Sequence, residues 1–340
     1  MRASLSLGAG LVLGCALLQA GPATPTSGIL FYTSYTGTPS VAKVGYNYDP
    51  SGSGFTLGAS STIVNLGAGA DGIMFAPNGT LLVGGQHAYE VFQYTKSGTL
   101  ITSAYTDSVS HTDASFHLAM DPTGSYVYSS DTYDSFGSGK LEVLPYSGGQ
   151  VHDGTVYSVG GDDTSITSMQ YTPYGWYYVY DTGANGNGNF GTVDLSSLSS
   201  ISTTRLYGAL SSAHSLAYDR FTGLVTLFGG GAVGSYDPAH PTVAPKQRTG
   251  ITCDFDQGAV DGRGHALIAG CNQITFIDYS ASGDITDAAN PTYVIGGYDH
   301  IDDVAPLSGL GSDPGTPEPG TFVLFGAAML AAAARRLNRR

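Results

Sequence analysis

The sequence predicts an all-β fold built as a closed ring of repeated β-hairpins. Three observations carry this. The composition favours strands and tight turns, with 49 glycines and 23 tyrosines among 340 residues. Between residues 28 and 313 no apolar pattern keeps a helical period, while short alternating runs recur between Gly, Asp and Ser clusters. One hairpin element also returns at a spacing in the forties.

That element is a short strand, a tight turn containing Pro, Asp or Gly, and a second strand. Its copies are DGIMFAPNGTLLVGG from Asp71, SFHLAMDPTGSYVYSSD from Ser115 and SITSMQYTPYGWYYVYD from Ser165. Two more are AHSLAYDRFTGLVTLFGG from Ala213 and CDFDQGAVDGRGHALIAG from Cys253. The turn glycines Gly79, Gly124, Gly175, Gly223 and Gly264 stand 45, 51, 48 and 41 residues apart. Third and fourth strands are expected at 89–98 and 100–106, 140–148 and 155–160, 190–196 and 203–208, and 274–283 and 292–297. Four-stranded repeats of this length are the blades of a β-propeller.

The two ends complement each other. Residues 301–309 read as a lone first strand, and 28–67 as strands two to four of the same blade. Joined, they close the ring and remove exposed sheet edges. Six blades of about 46 residues occupy about 276, against the 282 from 28 to 309. Five or seven blades, or a large β-sandwich, are the rival readings. The repeats lack a WD-type signature. They loosely resemble secreted bacterial propellers with short strand–turn–strand hairpins, and no narrower family.

The segments outside 28–309 carry addresses. Arg2, an apolar run over 5–18 and small residues through Ala23 make residues 1–23 a secretory signal peptide, cleaved after Ala20 or Ala23. The stretch VLGC ending at Cys15 offers a lipoprotein box as the alternative. At the other end a linker, 310–319, closes on Pro317, Glu318 and Pro319. An apolar run over 321–334 follows, then Arg335, Arg336, Arg339 and Arg340. As a helix, 14 residues reach about 21 Å, short for a membrane span. Snorkelling arginines extend the reach and stay cytoplasmic, which leaves the body outside.

Triplet, apolar segment and terminal arginines together resemble the PEP-CTERM sorting signal, here over 320–340 and the preceding Pro-Glu-Pro. The resemblance implies an exosortase-type processing enzyme in the inner membrane of a Gram-negative bacterium, and passage to the cell surface or extracellular matrix. Exopolysaccharide or an envelope protein is the partner it suggests. It covers only the tail and implies nothing about the body.

Without its two ends the chain keeps 8 basic and 26 acidic residues. Such a body repels nucleic acid and anionic membrane and suits cations or neutral glycans. Cys253 and Cys271 flank a hairpin turning at 261–264, which places them nearly opposite each other on adjacent strands. A cross-strand disulfide is expected in an exported chain, with two buried thiols as the alternative.

In a propeller the first strand of each blade lines the channel. Aligning the hairpins puts Asp71, Phe116, Thr167, His214, Asp256 and Asp302 near one level, with His117, Asp254, His300 and Asp303 close by. Asp71, His214, Asp256 and Asp302 are the candidate metal ligands. Carboxylates suit Ca²⁺, and a His/Asp mixture suits Zn²⁺ or another divalent cation. A solvated channel without an ion is the plainer reading. The loop HTDASFH (111–117) brings two histidines and Asp113 to the entry of the second hairpin. The loops GGDDTS (160–165) and DTGANGNGNFG (181–191) read as ordinary turn chemistry. Trp176 and its neighbouring tyrosines should split between two faces, chiefly for packing between blades.

No Gly-x-Ser-x-Gly elbow, His-Glu-x-x-His helix or phosphate-cradling loop is present. The leading expectation is therefore a non-enzymatic binding or structural module. A metal-dependent hydrolase or lyase at the channel mouth is the alternative.

Overall fold

The computed structural model describes residues 25–130, 139–184, 187–251 and 255–306. The expected signal peptide, linker and sorting tail lie outside them, as do Cys253 and Asp254. Among the described residues the only helical turn is Leu198–Ser200, and no helix is long and apolar enough to cross a membrane.

The chain runs through antiparallel four-strand sets in sequence order. The first holds β1 (Thr26–Ser34), β2 (Ser40–Asp49) and β3 (Gly54–Asn65). Next come β4 (Asp71–Phe75), β5 (Leu81–Gly84), β6 (Glu90–Tyr94) and β7 (Leu100–Tyr105). The third set is β8 (Leu118–Met120), β9 (Tyr126–Ser130), β10 (Lys140–Ser147) and, past the two-residue β11 (Gln150–Val151), β12 (Thr155–Gly161). Then follow β13 (Ser168–Thr172), β14 (Gly175–Ala184), β15 (Asn187–Asp194) and β16 (Ile201–Leu210). The next set is β17 (Ser215–Asp219), β18 (Leu224–Gly229), β19 (Ala232–Tyr236) and β20 (Lys246–Arg248). The last is β21 (Gly258–Val260), β22 (His265–Gly270), β23 (Gln273–Asp278) and β24 (Thr292–Gly296).

Finally β25 (Ile301–Pro306) returns to β1, pairing Tyr32 with Val304 and Phe31 with Ala305. The ends therefore share one sheet, as the sequence suggested. The five repeated turn glycines all sit at positive φ, from 69° at Gly124 to 111° at Gly175. That is the backbone a two-strand turn needs and a side chain resists. The first strands touch in a closed circuit: β25 to β4, β8, β13, β17, β21 and back to β25.

Apolar side chains fill the spaces between neighbouring sheets. Phe55 stacks on Phe276 with centroids 4.4 Å apart, joining the first sheet to the last. Alternation along β14 sends Tyr178 to one neighbour and Tyr177 to the other, while Tyr174 at the turn stays 55% exposed. This is the two-faced split expected of the aromatic hairpin.

One feature departs from separate blades. Val159 and Gly161 of β12 pair in parallel with Ile201 and Thr203 of β16, which fuses two sets into a nine-stranded sheet. Gly161 permits it. Its φ is +102°, and a Cβ there would stand 2.2 Å from the Thr203 carbonyl oxygen. Gly161→Ala should therefore lose about 1–3 kcal/mol in denaturant unfolding. A change within about 0.5 kcal/mol, the range of a neutral surface substitution, would show that the parallel seam does not hold the two sheets.

Candidate functional site at the channel mouth

Every sheet delivers an acid or an imidazole to the same end of the ring. Asp71 opens β4, and His117 and His214 stand just before β8 and β17. Asp256 precedes β21, Asp302 and Asp303 lie in β25, and Asp181 lies in β14. The ladders place them. The His214 amide donates to the Phe228 carbonyl at 2.9 Å, and the Asp256 amide to Ala269 at 3.0 Å. The Asp303 amide donates to Thr33 Oγ1 at 3.0 Å. Its carboxylate accepts from the Gly72 amide. Gly72 has φ +50°, and a Cβ there would lie 2.0 Å from the Phe116 carbonyl oxygen, so only glycine lets these first strands approach.

The side chains form one network. His214 Nδ1 lies 2.7 Å from Asp181 Oδ2, and its Nε2 lies 2.7 Å from Asp256 Oδ1. His117 Nε2 lies 3.5 Å from the same Asp256 oxygen, and its Nδ1 lies 3.6 Å from Asp303 Oδ2. Gln86 Nε2 donates to Asp71 Oδ2 at 3.0 Å. Asp302 hydrogen-bonds to Asp256, and Asp303 to Asp71. Several buried atoms find no partner: Asp71 Oδ1, His117 Nδ1, Asp302 Oδ2 and Asp303 Oδ1. Leaving such groups unpaired is costly unless something else satisfies them.

Electrostatics divide the members. Burial pushes the carboxyls of Asp302 and Asp303 well above the usual range, reinforced by Asp256 and Asp71. Burial also opposes ionisation of Asp256, yet His214 and the bond from Asp302 hold it well below that range. Burial disfavours charge on His214, but Asp256 and Asp181 outweigh it and keep the imidazole protonated well above its ordinary value. Burial dominates at His117 and lowers it.

The charge on His214 is thus fully present below its ordinary value of 6.5 and is lost only as pH rises through the higher folded value. Ring-nitrogen NMR of the metal-free chain at pH 6.5 should show His214 doubly protonated and His117 neutral. Two rings titrating together near that pH would contradict this division.

A cavity of about 750 Å³ opens over the cluster. Asp71, His214, Asp256 and Asp302, the four residues singled out from the sequence, all line it. Tyr35, His87 and Phe116 supply aromatic walls, and Gln86 and Cys271 also reach it. Cys271 is disulfide-bonded. Cys253, its expected partner, lies outside the described residues.

Other candidates part company. His117 reaches the cluster, whereas His111 is exposed and stacks on Tyr105 at 3.7 Å. Asp113 pairs with Lys140. Thr167 is buried and its Oγ1 accepts from the Asp181 amide at 2.9 Å. His300 sits at the rim beside Tyr35. Among the residues missed from sequence are Gln86, which bonds Asp71, and Asp181, which lies in a second strand, β14, rather than at the start of a first. The one signal for Asp181 was position, as the terminal Asp of the hairpin copy from Ser165.

Residues 316–340 match the PEP-CTERM protein-sorting motif. This implies export through sorting at the membrane and processing by an exosortase-type enzyme. No curated protein matches the sequence. Among solved structures the body is similar to a periplasmic gluconolactonase from Pseudomonas aeruginosa, at 14% identity over 83% of this chain and 99% of that one, with a TM-score of 0.52. It is also similar to a candidate 6-phosphogluconolactonase from Bacteroides fragilis, at 10% identity over 82% and 97%, with a TM-score of 0.51. At these identities the likeness is one of fold: an all-β, propeller-like body.

Proposed function

We propose that the chain is an exported six-bladed β-propeller that binds a small polar ligand, such as a neutral saccharide, at its channel mouth. In this reading residues 1–23 direct secretion, and 28–309 form the propeller closed by both ends. Residues 310–319 are the linker, and 320–340 hold it in the inner membrane until processing. The body is then displayed at the cell surface or in the extracellular matrix, beside exopolysaccharide or an envelope protein.

One observation carries the ligand site. Asp71, His214, Asp256 and Asp302, on or just before strands of four different sheets, line a single cavity whose volume suits a small molecule. A purely structural ring has no need of several buried carboxyls bonded to one another. The aromatic walls above acceptor oxygens fit a sugar, with ring faces for its C–H surface and carboxylates for its hydroxyls. The formal net charge of −14 disfavours nucleic acid.

A second reading is turnover of that ligand by a hydrolase or lyase. It is favoured by the hydrogen-bonded pair of Asp302, whose carboxyl burial pushes well above the usual range, and Asp256, which His214 holds well below it. A neighbouring acid and base is what proton transfer requires. Thermal shift of the full chain against a panel of neutral, amino- and acidic oligosaccharides tests the ligand reading. One class should raise Tm, and Asp256→Asn should abolish that rise. A panel without effect, or an equal rise in the variant, would overturn it. Product formation from the binding class would move the assignment to the second reading.

A further inference from the structure

We infer that the channel mouth is a mononuclear site for a first-row transition metal, held by His117 Nε2, His214 Nε2 and one oxygen of Asp256, with Asp181 and Asp303 orienting the two rings. It rests on the reading that the channel mouth is the working site, and it assigns that site a cofactor.

The donor atoms are already assembled. Asp256 Oδ1 lies 2.7 Å from one Nε2 and 3.5 Å from the other, and donor atoms of the three residues lie within 4.8 Å of one another. Ligands bound at about 2.0–2.2 Å to a shared ion are themselves roughly 3–3.5 Å apart, so small side-chain shifts suffice. The rings meet edge to face with centroids 5.3 Å apart. Both imidazoles therefore turn the same nitrogen towards one carboxylate.

The opposite nitrogens are arranged as a metal site needs. His214 Nδ1 meets Asp181 at 2.7 Å, and His117 Nδ1 faces Asp303 at 3.6 Å. A carboxylate behind a metal-bound imidazole fixes its tautomer and ring orientation. The independent pointer is His117 itself. It is 3% exposed, yet its Nδ1 lacks a hydrogen-bond partner, and Asp303, which it faces, has an orphaned Oδ1. A cation at Nε2 would fix this ring as the Nδ1–H tautomer, with that proton turned towards Asp303.

Two imidazoles with one carboxylate favour zinc, manganese, iron or cobalt over calcium, which takes six to eight oxygens. A second grouping, Asp71, His117 and Asp303, also has its donors within 4.8 Å. All three of its members are buried. The first grouping includes the accessible Asp256, 26% exposed at its side chain, and His214 on the cavity wall, so exchange with solvent and an open coordination position favour it.

The test loads the chelator-treated full chain with Co²⁺ or Zn²⁺ alone. One equivalent of Co²⁺ should bind, with visible absorption bands of nitrogen–oxygen coordination. His214→Ala should abolish binding while the chain stays folded by circular dichroism. Asp181→Asn should keep one equivalent at about 10–100-fold weaker affinity, the usual effect of losing such a carboxylate. A folded wild-type chain that binds neither ion, or His214→Ala that binds as wild type, would overturn the assignment. Saccharide binding by a chain that takes up neither ion would leave the ligand reading standing while this one fell. Cobalt bound without any saccharide effect would do the reverse.

Discussion

A chain ended after residue 300 should fail to reach the native state, whereas one ended after residue 315 should fold like the full chain. The difference is β25. It supplies the neighbour of β1, through Leu30–Pro306, Phe31–Ala305, Tyr32–Val304 and Ser34–Ile301. It buries Ile301, Val304 and Ala305, and it carries Asp302 and Asp303. Burial of the two larger apolar side chains alone contributes about 1.5–3 kcal/mol each. Loss of the ladder and of the contacts to β4 and β22 adds to that. A deficit of this size competes with the whole stability of a domain, about 5–15 kcal/mol. An open first sheet would also expose the apolar face of β1 as an unpaired edge. Circular dichroism and size-exclusion chromatography should show an aggregated or unfolded 1–300 chain beside a cooperative 1–315 chain. Near-equal melting of the two would contradict ring closure by the C-terminal strand.

Phe276→Ala should cost about 3–5 kcal/mol, the range for removing a fully buried aromatic ring. Phe276 has no exposed surface. It stacks on Phe55 at 4.4 Å with planes 6° apart and lies 4.6 Å from Tyr48. These rings join the last sheet to the first, so the cavity would open at the seam that closes the circle. Tyr48 also donates to Asp278 in that seam, which limits how far the walls can collapse to refill the space. Phe221, 42% exposed beside Tyr279, is the control, and Phe221→Ala should cost well under half as much. Guanidinium unfolding of both variants decides the matter. Equal losses would show that the seam bears no special share of the stability.

The hairpins were readable because two periodicities coincide there. Alternating apolar residues mark the strands, and glycine marks the positive-φ turn at Gly79, Gly124, Gly175, Gly223 and Gly264. Ring closure was readable because residues 301–309 lack a partner that residues 28–67 also lack. The strands β19 and β20 were not marked. AVGSY is made largely of small residues, and KQR is a short polar edge, so neither shows alternation. The parallel seam between β12 and β16 was hidden for a different reason. It depends on how closely two outer strands approach, which Gly161 allows but does not announce.

The site was legible in outline. Asp71, His214, Asp256 and Asp302 follow from aligning first strands, and the same alignment brought His117 and Asp303 close. The opposite directions in which their titration is pushed were not legible, because they arise from burial and from distances across the channel. Asp181 escaped because an Asp before a Gly/Asn-rich loop is ordinary turn chemistry, and its Oδ1 does cap the Gly183 amide at 2.8 Å. Only the fold shows that its other oxygen reaches His214.

The most direct measurement is an anomalous difference map from crystals of the protein soaked in Mn²⁺ or Zn²⁺. One strong peak is expected at the channel mouth, within bonding distance of His117 Nε2, His214 Nε2 and Asp256, with the rings still backed by Asp303 and Asp181. A peak confined to the surface, or a channel mouth that stays empty at saturating cation, would contradict the site.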